Sequence, residues 1–284
     1  MFRTKSITKI KTLKFKHMKS YSLYLTSSIL LLVLLFSFWG CEDTTQLEER
    51  SWQLIWQDDF NTDGAPDMTK WTYDLGGGGW GNNELQTYTS DSLNIYIDDG
   101  KLKITAQRIG SSFTSARIKT QGLFEQKYGR FEARIKLPWG PGIWPAFWML
   151  GANIETVEWP LCGEIDIMEY RGYQTNLVHG SVHGPGYSGA SAITKTYGLV
   201  NDRFDIDYHV FAIEWGEDYI DYFVDDNFYQ RITPGDVTGE WVFDHPFFIL
   251  LNVAIGGDYV GFPTEDTPFP QTMYIDWVRV YKEN

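Results

Sequence analysis

The chain has 284 residues, enough for one large domain or two small ones. It carries 37 acidic and 24 basic residues, a net charge of −13, with 47 aromatic residues and only two cysteines. The 43% hydrophobic content excludes a disordered chain, two cysteines exclude a disulfide scaffold, and the acidic balance argues against a nucleic-acid partner.

The charge is unevenly distributed along the chain. The first twenty residues carry seven basic and no acidic side chains, and residues 21–40 carry no charge, so the chain from Cys41 onward has a net charge of −20. A basic stretch followed by an apolar run and a small residue is the layout of a secretory signal, and residues 1–40 are therefore predicted to be an export signal. Met18 gives a more compact start than Met1, and we predict that translation begins there.

The apolar run ends in Phe38-Trp39-Gly40-Cys41, which resembles a lipoprotein signal in which Cys41 is lipidated and becomes the first mature residue. Phe38 and Trp39 are bulkier than that pattern prefers. Two alternatives therefore remain. The apolar run is an uncleaved transmembrane anchor, since about 20 apolar residues can span a bilayer, or the signal is removed by ordinary cleavage. All three readings place the bulk of the chain outside the cytoplasm. The first predicts a lipoprotein anchored to a membrane through Cys41, with residues 41–50 as a short tether.

From Ser51 to Asn284, hydrophobicity alternates with a period of two and shows no sustained helical period. Residues 130–137 alternate cleanly, residues 101–107 do the same, residues 219–231 are typical of a hairpin, and Met273 to Tyr281 is a final β-rich run. Breaks rich in glycine and proline separate these segments. The pattern predicts one all-β domain over 51–284, an antiparallel sandwich or barrel.

The segment Glu164-Ile165-Asp166-Ile167-Met168-Glu169 is the most informative one. Glu164 and Asp166 share a face of a strand, whereas Glu169 would normally point the other way. A β-bulge at Ile167-Met168 would bring Glu169 back, giving three carboxylates in one row. Taken alone, this row suits a solvated edge strand, a calcium site, or a pair of carboxylates of which one is protonated.

The same segment looks like the E-x-D-x-x-E signature of glycoside hydrolase family 16 in its bulged form. Further stretches resemble the laminarinase branch of that family, the endo-β-1,3-glucanases, and they follow in order over roughly residues 50–284. These are residues 81–86 (GNNELQ), 114–120 (TSARIKT), 128–134 (YGRFEAR), 144–151 (WPAFWMLG), 183–189 (HGPGYSG) and 251–257 (LNVAIGG).

The resemblance implies an antiparallel β-jelly-roll sandwich whose concave sheet forms a glycan-binding cleft. It also implies retaining hydrolysis without a catalytic cofactor, with Glu164 as the nucleophile, Asp166 as the assisting residue and Glu169 as the general acid/base. In retaining enzymes the two catalytic carboxyl groups lie about 5–5.5 Å apart. Two residues four strand positions apart have Cα atoms separated by about 13 Å. Retention therefore rests on the resemblance and not on the spacing.

Five further residues match positions of the family that bind sugar. Trp144 and Trp148 resemble aromatic platforms, since flat rings suit the apolar face of a sugar, although core packing is the alternative for each. Asn83 and Arg117 match positions of the family that recognise sugar hydroxyls. The alternative is that they are ordinary polar residues of a loop and of the sheet surface. His183 matches a histidine of the cleft.

Two groups of residues have donor atoms that suit a metal ion. His179 and His183 share a strand face, but a zinc site needs a third ligand that the sequence does not supply, so His179 is predicted to be a hydrogen-bonded structural residue. Asp276 resembles the carboxylate of a structural calcium site, with backbone carbonyls near Asp59 and Gly100 as the other ligands. A surface aspartate on the last strand is the alternative.

Together these features predict an exported, surface-tethered, monomeric endo-β-1,3-glucanase that acts on β-glucans such as laminarin. Hydrolases of mixed-linkage β-1,3-1,4-glucan or of an agar-type galactan are the alternatives within the same class. A non-catalytic glycan-binding protein is the alternative from another class, but such proteins typically lose the catalytic carboxylates. The two cysteines are expected not to pair, with Cys41 acylated and Cys162 left as a free thiol.

Overall fold

Two β-sheets packed face to face make up residues 50–284, the part of the chain that the computed structural model describes. All strand pairs are antiparallel in this part except one, and the jelly-roll sandwich predicted from the sequence is confirmed. The export signal, the start at Met18, the lipidated Cys41 and the tether up to residue 49 lie outside the described residues.

Seventeen strands and one short 3-10 helix, Gly189–Ser191, follow one another along residues 50–284. The strands are β1 Trp52–Asp58, β2 Thr72–Tyr73, β3 Gln86–Tyr88, β4 Ile95–Asp98, β5 Lys101–Ile109, β6 Ser112–Ser115, β7 Arg117–Lys119, β8 Gly129–Lys136, β9 Ile143–Gly151, β10 Glu164–Tyr170, β11 Leu177–His183, β12 Ile193–Gly198, β13 His209–Trp215, β14 Ile220–Val224, β15 Asn227–Ile232, β16 Phe247–Ile255 and β17 Gln271–Glu283.

The two sheets have ten and seven strands. The larger has the order β15-β14-β13-β8-β17-β5-β6-β3, with β1 added to β17 and β4 added to β5. The smaller has the order β12-β11-β10-β9-β16-β7-β2. The parallel pair is β3 with β6. The carboxylate strand β10 therefore lies near the middle of the smaller sheet, between β9 and β11, and not at an edge.

The inner face of the larger sheet is apolar because apolar side chains occupy alternate positions of its strands. In β8 the apolar residues Phe131, Ala133 and Ile135 are fully buried, and in β5 Leu102 and Ile104 are as well. Most charged residues at the intervening positions of both strands remain partly exposed, whereas Glu132 is buried and paired with Arg130. A strand with this period buries one face and leaves the other in water, which fixes the register of the sandwich.

The predicted hairpin also forms where the sequence places it. β14 and β15 are joined by Asp225 and Asp226, which have φ angles of 49° and 60°. Two consecutive residues in the left-handed region are typical of the type I′ turn, whose twist matches that of the flanking strands. Aspartate tolerates this conformation better than most residues.

The core lies between the sheets and is rich in aromatic rings. Trp71, Trp215, Tyr222 and Phe147 are among its largest fully buried side chains. The opposite face of the smaller sheet is thus the one that presents the functional groups of β9, β10 and β11. No helix within residues 50–284 is long and apolar enough to cross a membrane.

Candidate active site

Strand β10 carries the three carboxylates, and the bulge lies where the sequence predicts it. On β11 the register partners of Glu164, Asp166 and Glu169 are residues 183, 181 and 179. These are alternate positions, so the three carboxylates share one face of the sheet. The register against both neighbouring strands shifts between Asp166 and Glu169, which places one extra residue at Ile167–Met168.

Each of the two glutamates accepts a hydrogen bond from a tryptophan indole. Trp159 Nε1 donates to Glu164 Oε2 at 2.7 Å, and Trp144 Nε1 donates to Glu169 Oε1 at 3.1 Å. Trp144 comes from β9, whereas Trp159 belongs to the loop between β9 and β10 and is 45% exposed. The two carboxylates are therefore fixed separately, each by a neutral donor that favours its ionised form.

His183 faces the middle of the carboxylate row. Its Nε2 lies 3.0 Å from Asp166 Oδ2 and 3.9 Å from Glu164 Oε1. The backbone N–H of Gly189 donates to His183 Nδ1 at 3.0 Å, so this nitrogen is the acceptor. The ring proton therefore sits on Nε2 and points at the carboxylates, which stabilises negative charge there.

Burial raises the pKa of all three carboxyl groups. The pKa of Glu164 is raised to about 8 and that of Asp166 to about 7, while that of Glu169 lies well above its usual range. Repulsion from Asp166 raises the pKa of both glutamates further, and His183 partly offsets this. Like charges at this separation do not all ionise at neutral pH, so the row retains a proton, as a proton donor requires.

This proton has a measurable consequence for stability. Because the pKa of Asp166 is raised to about 7, the folded protein binds more protons than the unfolded chain between about pH 4 and that value. Stability is therefore lost as the pH rises through this range.

Asparagine does not ionise, so Asp166→Asn should raise the Tm at pH 8 by about 3 °C or more and leave it unchanged at pH 4. Calorimetry at both pH values measures the difference, with Asp63→Asn, an exposed aspartate, as the control. An equal gain at both pH values would contradict a raised pKa of Asp166.

The predicted platform residue Trp148 and the predicted sugar-binding residue Arg117 are in contact. The guanidinium of Arg117 lies 4.6 Å from the ring centre of Trp148 and 4.9 Å from that of Trp80. Trp148 Nε1 donates to Asn252 Oδ1 at 2.8 Å, and Arg117 Nε lies 3.2 Å from Asp74 Oδ2. Both predicted residues are partly exposed, in β9 and β7, on the side of β10 away from β11.

Asn83 lies in the exposed loop between β2 and β3. Its φ is 58°, a left-handed conformation that asparagine adopts more readily than most residues. Its side-chain Nδ2 donates to both carboxylate oxygens of Asp258, at 2.9 and 3.1 Å. The amide oxygen of Asn83 remains free to accept a hydrogen bond.

His179 has the hydrogen-bond partner expected of a structural residue. Its Nδ1 lies 2.8 Å from the hydroxyl of Thr196, and burial, together with the charge of Arg171, lowers its pKa to about 4. Within residues 50–284, the group that brings three metal-ligating side chains together is Glu164, Asp166 and His183, without His179. His183 presents its protonated nitrogen to this group, and a protonated nitrogen is a donor and not a metal ligand.

The residues of the predicted calcium site lie on the other sheet. Asp276 is in β17, where its Oδ2 accepts a hydrogen bond from Arg134 Nη1 at 2.6 Å. The carboxylate of Asp59 is paired with Arg279 at 2.9 Å, which leaves its backbone carbonyl, and Gly100 lies in the turn between β4 and β5. The oxygens that remain have the hard character that calcium prefers.

Cys162 lies two residues before Glu164. It is a free, buried thiol, and burial raises its pKa to about 11, so the thiolate is scarce at neutral pH.

Trp159 is a residue of this site that the sequence pattern does not single out. It lies in an irregular loop, where no strand period says which way a side chain points. Trp159→Phe keeps a ring but loses the donor to Glu164. Hydrogen bonds to charged groups contribute about 1.5–3 kcal/mol, so kcat/KM should fall about 10- to 100-fold.

The pH profile separates this role from simple packing. The indole N–H favours the ionised form of Glu164, so its loss should move the acidic limb of kcat/KM to higher pH. Trp277→Phe is the matched control, since Trp277 lies in β17 of the other sheet. A lower kcat/KM with an unshifted acidic limb would contradict the positioning role of Trp159.

Comparison with known proteins identifies the family of the chain. The model of the family described as Glycosyl hydrolases family 16 matches residues 80–279. The chain is 41% identical over 244 residues to the beta-glucanase of Rhodothermus marinus, across 81% of this chain and 85% of that protein. It is 37% identical over 265 residues to glucan endo-1,3-beta-glucosidase A1 of Niallia circulans, covering 81% of this chain but 38% of that longer protein. Among solved structures, the laminarinase catalytic domain of Thermotoga maritima MSB8 superposes with a TM-score of 0.78 and 48% identity, across 82% of this chain and 99% of that one.

Proposed function

The chain belongs to glycosyl hydrolase family 16, and from this membership we propose that it is a retaining endo-β-1,3-glucanase acting on laminarin-type glucans. The observation that carries the proposal is the row of Glu164, Asp166 and Glu169 on one face of a bulged strand. Carboxyl groups of the protein and water supply all the chemistry of a double displacement, so the hydrolysis requires no catalytic cofactor.

In the first step, the carboxylate of Glu164 attacks the anomeric carbon while Glu169 gives its proton to the departing glycosidic oxygen. The bond from carbon to the leaving oxygen breaks as an ester bond to Glu164 forms. Trp159 and Trp144 hold the two carboxylates in position. Asp166, with the N–H of His183 directed at it, supplies negative charge beside the cationic sugar ring of the transition state.

In the second step, water attacks the same carbon and Glu169 takes its proton. The ester to Glu164 breaks, and two displacements at one carbon restore its original configuration. The carboxylate of Glu164 is then free, Glu169 is protonated again, and the site is ready for the next glycan.

Sugar rings are bound by the aromatic groups beside β10. Trp144 and Trp148 are partly exposed on β9 and offer ring faces to the apolar face of a sugar. Arg117 from β7 and Asn83 from the loop between β2 and β3 supply polar contacts to hydroxyl groups. The ion pair of Arg117 with Asp74 and the hydrogen bond of Asn83 to Asp258 hold both side chains in place before a substrate arrives.

Incubation with laminarin, lichenan and agarose tests the substrate class, with reducing-sugar release and product profiling as the measurements. We expect release from laminarin, with a ladder of oligosaccharides that identifies endo cleavage. Faster release from lichenan would favour a mixed-linkage glucanase, and release from agarose alone would favour a galactan hydrolase. No release from any of the three would favour the non-catalytic glycan-binding protein.

The same proposal includes export and anchoring. The basic leader, the apolar run and Gly40-Cys41 support a lipoprotein anchored through Cys41, with the catalytic domain outside the cytoplasm. Metabolic labelling with a fatty acid, followed by membrane fractionation, tests this point with Cys41→Ala as the comparison. Labelling that persists in the variant would overturn the assignment, and size-exclusion chromatography tests the expected monomer.

A structural calcium ion is proposed at Asp276, with backbone carbonyls of Asp59 and Gly100. One carboxylate oxygen of Asp276 remains beside its pair with Arg134, and carbonyl oxygens suit calcium. EGTA should lower the Tm by several degrees and added calcium should restore it, because an ion that binds only the folded state stabilises it. The same shift in Asp276→Asn would contradict this site.

A further inference from the structure

The loop of residues 152–163 joins β9 to β10 and carries Trp159, whose indole donates to Glu164. A tight turn encloses Trp159, since the backbone N–H of Leu161 donates to the carbonyl oxygen of Glu158 at 2.9 Å. Because this turn is short, a shift of the chain at the end of the loop moves Trp159 as well. The position of the indole donor therefore depends on what holds the loop.

Both ends of this loop are held by residues at the beginning of β16. The N–H of Ala152 donates to the carbonyl oxygen of Pro246 at 2.9 Å. At the other end, Nε2 of His245 lies 3.1 Å from the carbonyl oxygen of Cys162. The imidazole packs on the ring of Phe247, with 4.9 Å between the ring centres. His245 thus contributes a polar side-chain contact between β16 and the end of the loop.

The imidazole of His245 is the donor in this contact. A carbonyl oxygen only accepts hydrogen bonds, so Nε2 of His245 carries a proton. The neutral ring in this tautomer and the cationic ring both have that proton. The hydrogen bond to Cys162 therefore persists when the ring titrates against its charged neighbour Asp244, whose Oδ1 lies 3.6 Å from Nδ1.

Gly151, the last residue of β9, leaves the space in which this contact forms. A Cβ atom at this position would overlap the carbonyl oxygen of Cys162 and lie 2.6 Å from Nε2 of His245. The φ angle of Gly151 lies outside the left-handed region, so the backbone conformation does not require a glycine here. The close approach of the imidazole to the carbonyl group is the reason for the missing side chain.

We propose that His245 is a positioning residue for the reaction, which holds the loop where Trp159 can donate to Glu164. This inference rests on the proposed glucanase activity. Cys162 comes three residues after Trp159 and two before Glu164, so fixing its carbonyl group limits the movement of both side chains. His245 acts through Trp159 and takes no part in the making or breaking of bonds.

His245→Phe is the decisive variant, because it keeps a ring against Phe247 and loses the proton on Nε2. We expect kcat/KM on laminarin to fall about 3- to 10-fold, the size of one hydrogen bond. His245→Gln supplies an amide N–H in its place and should restore kcat/KM to within about twofold of the wild type. His209→Phe is the matched control in β13 of the larger sheet, where the imidazole contacts Asp225. It should lower the Tm without lowering kcat/KM.

A double-mutant cycle with Trp159→Phe separates positioning from packing alone. If His245 acts through Trp159, His245→Phe should lower kcat/KM by less than about twofold once Trp159 is already phenylalanine. Losses that multiply in the double variant, or a wild-type kcat/KM in His245→Phe, would overturn the assignment.

The pH profile gives a second measurement of the same role. His245→Phe should move the acidic limb of kcat/KM to higher pH, in the direction expected for Trp159→Phe, since Glu164 loses the same donor. The other titratable groups around Glu164 are unchanged in both variants; they are Cys162, Asp166, Glu169 and His183. A lower kcat/KM with an unshifted limb would also overturn the assignment. Wild-type protein that hydrolyses no β-1,3-glucan would instead refute the proposed function, so the two failures are distinguishable.

Discussion

Replacing Glu169 by glutamine should lower kcat/KM on laminarin by about 10²- to 10⁴-fold, the usual contribution of general acid–base catalysis. Glutamine keeps the size of the side chain and its acceptor oxygen for Trp144, but it has no proton to give. The loss should be much smaller on 2,4-dinitrophenyl β-laminaribioside, because that leaving group departs without protonation. On this substrate the second step becomes limiting, since no base activates water, and the glycosyl-enzyme accumulates.

A comparison of the two substrates measures this effect, with burst kinetics on the aryl glycoside reporting the accumulated intermediate. Glu155→Gln, an exposed glutamate in the loop after β9, is the matched control and should behave like the wild type. Equal losses of kcat/KM on laminarin and on the aryl glycoside would argue against Glu169 as the proton donor. They would move that role to another member of the row.

Replacing Glu164 by glutamine should abolish turnover of both substrates, by about 10⁵-fold or more, as the removal of catalytic nucleophiles generally does. No leaving group bypasses this loss, because the bond that fails to form is the one to the enzyme. The fold should persist, since the amide oxygen still accepts the indole N–H of Trp159. Equal losses on natural and activated substrates distinguish this variant from Glu169→Gln.

Laminarin hydrolysis and thermal unfolding should be measured on the same preparation of Glu164→Gln. A wild-type Tm with no turnover is the expected outcome. Residual activity above about 1% of the wild type would be far more than the loss of a nucleophile leaves behind. Such activity would indicate that Asp166 attacks the sugar and that Glu164 has a supporting role.

Local patterns in the sequence predict much of this fold because strand geometry depends on near neighbours. The period of two in β8 and β5, and the Asp225-Asp226 turn, correspond to elements that form as expected. The bulge is predictable for the same reason, since three carboxylates at spacings of two and three share a face only if one residue is inserted. The shared face of the row follows from those spacings, whereas its burial in the middle of the sheet does not.

The contacts that orient the row were not predictable, because they join residues that are distant in the chain or lie in irregular loops. Trp159 reaches Glu164 from a loop, and Trp148 is held by Asn252, 104 positions away. Gly189 fixes the proton of His183 through the backbone after β11. Such contacts depend on how loops pack on the finished sheet.

Trapping the glycosyl-enzyme tests the central claim most directly. A 2-deoxy-2-fluoro β-laminaribioside with an activated leaving group forms the ester quickly and loses it slowly, because fluorine destabilises the cationic transition state of both steps. Peptide mapping by mass spectrometry should then place a single added glycosyl group on Glu164. A label on Asp166 or Glu169, or an unlabelled enzyme that releases products of inverted configuration, would contradict double displacement through Glu164.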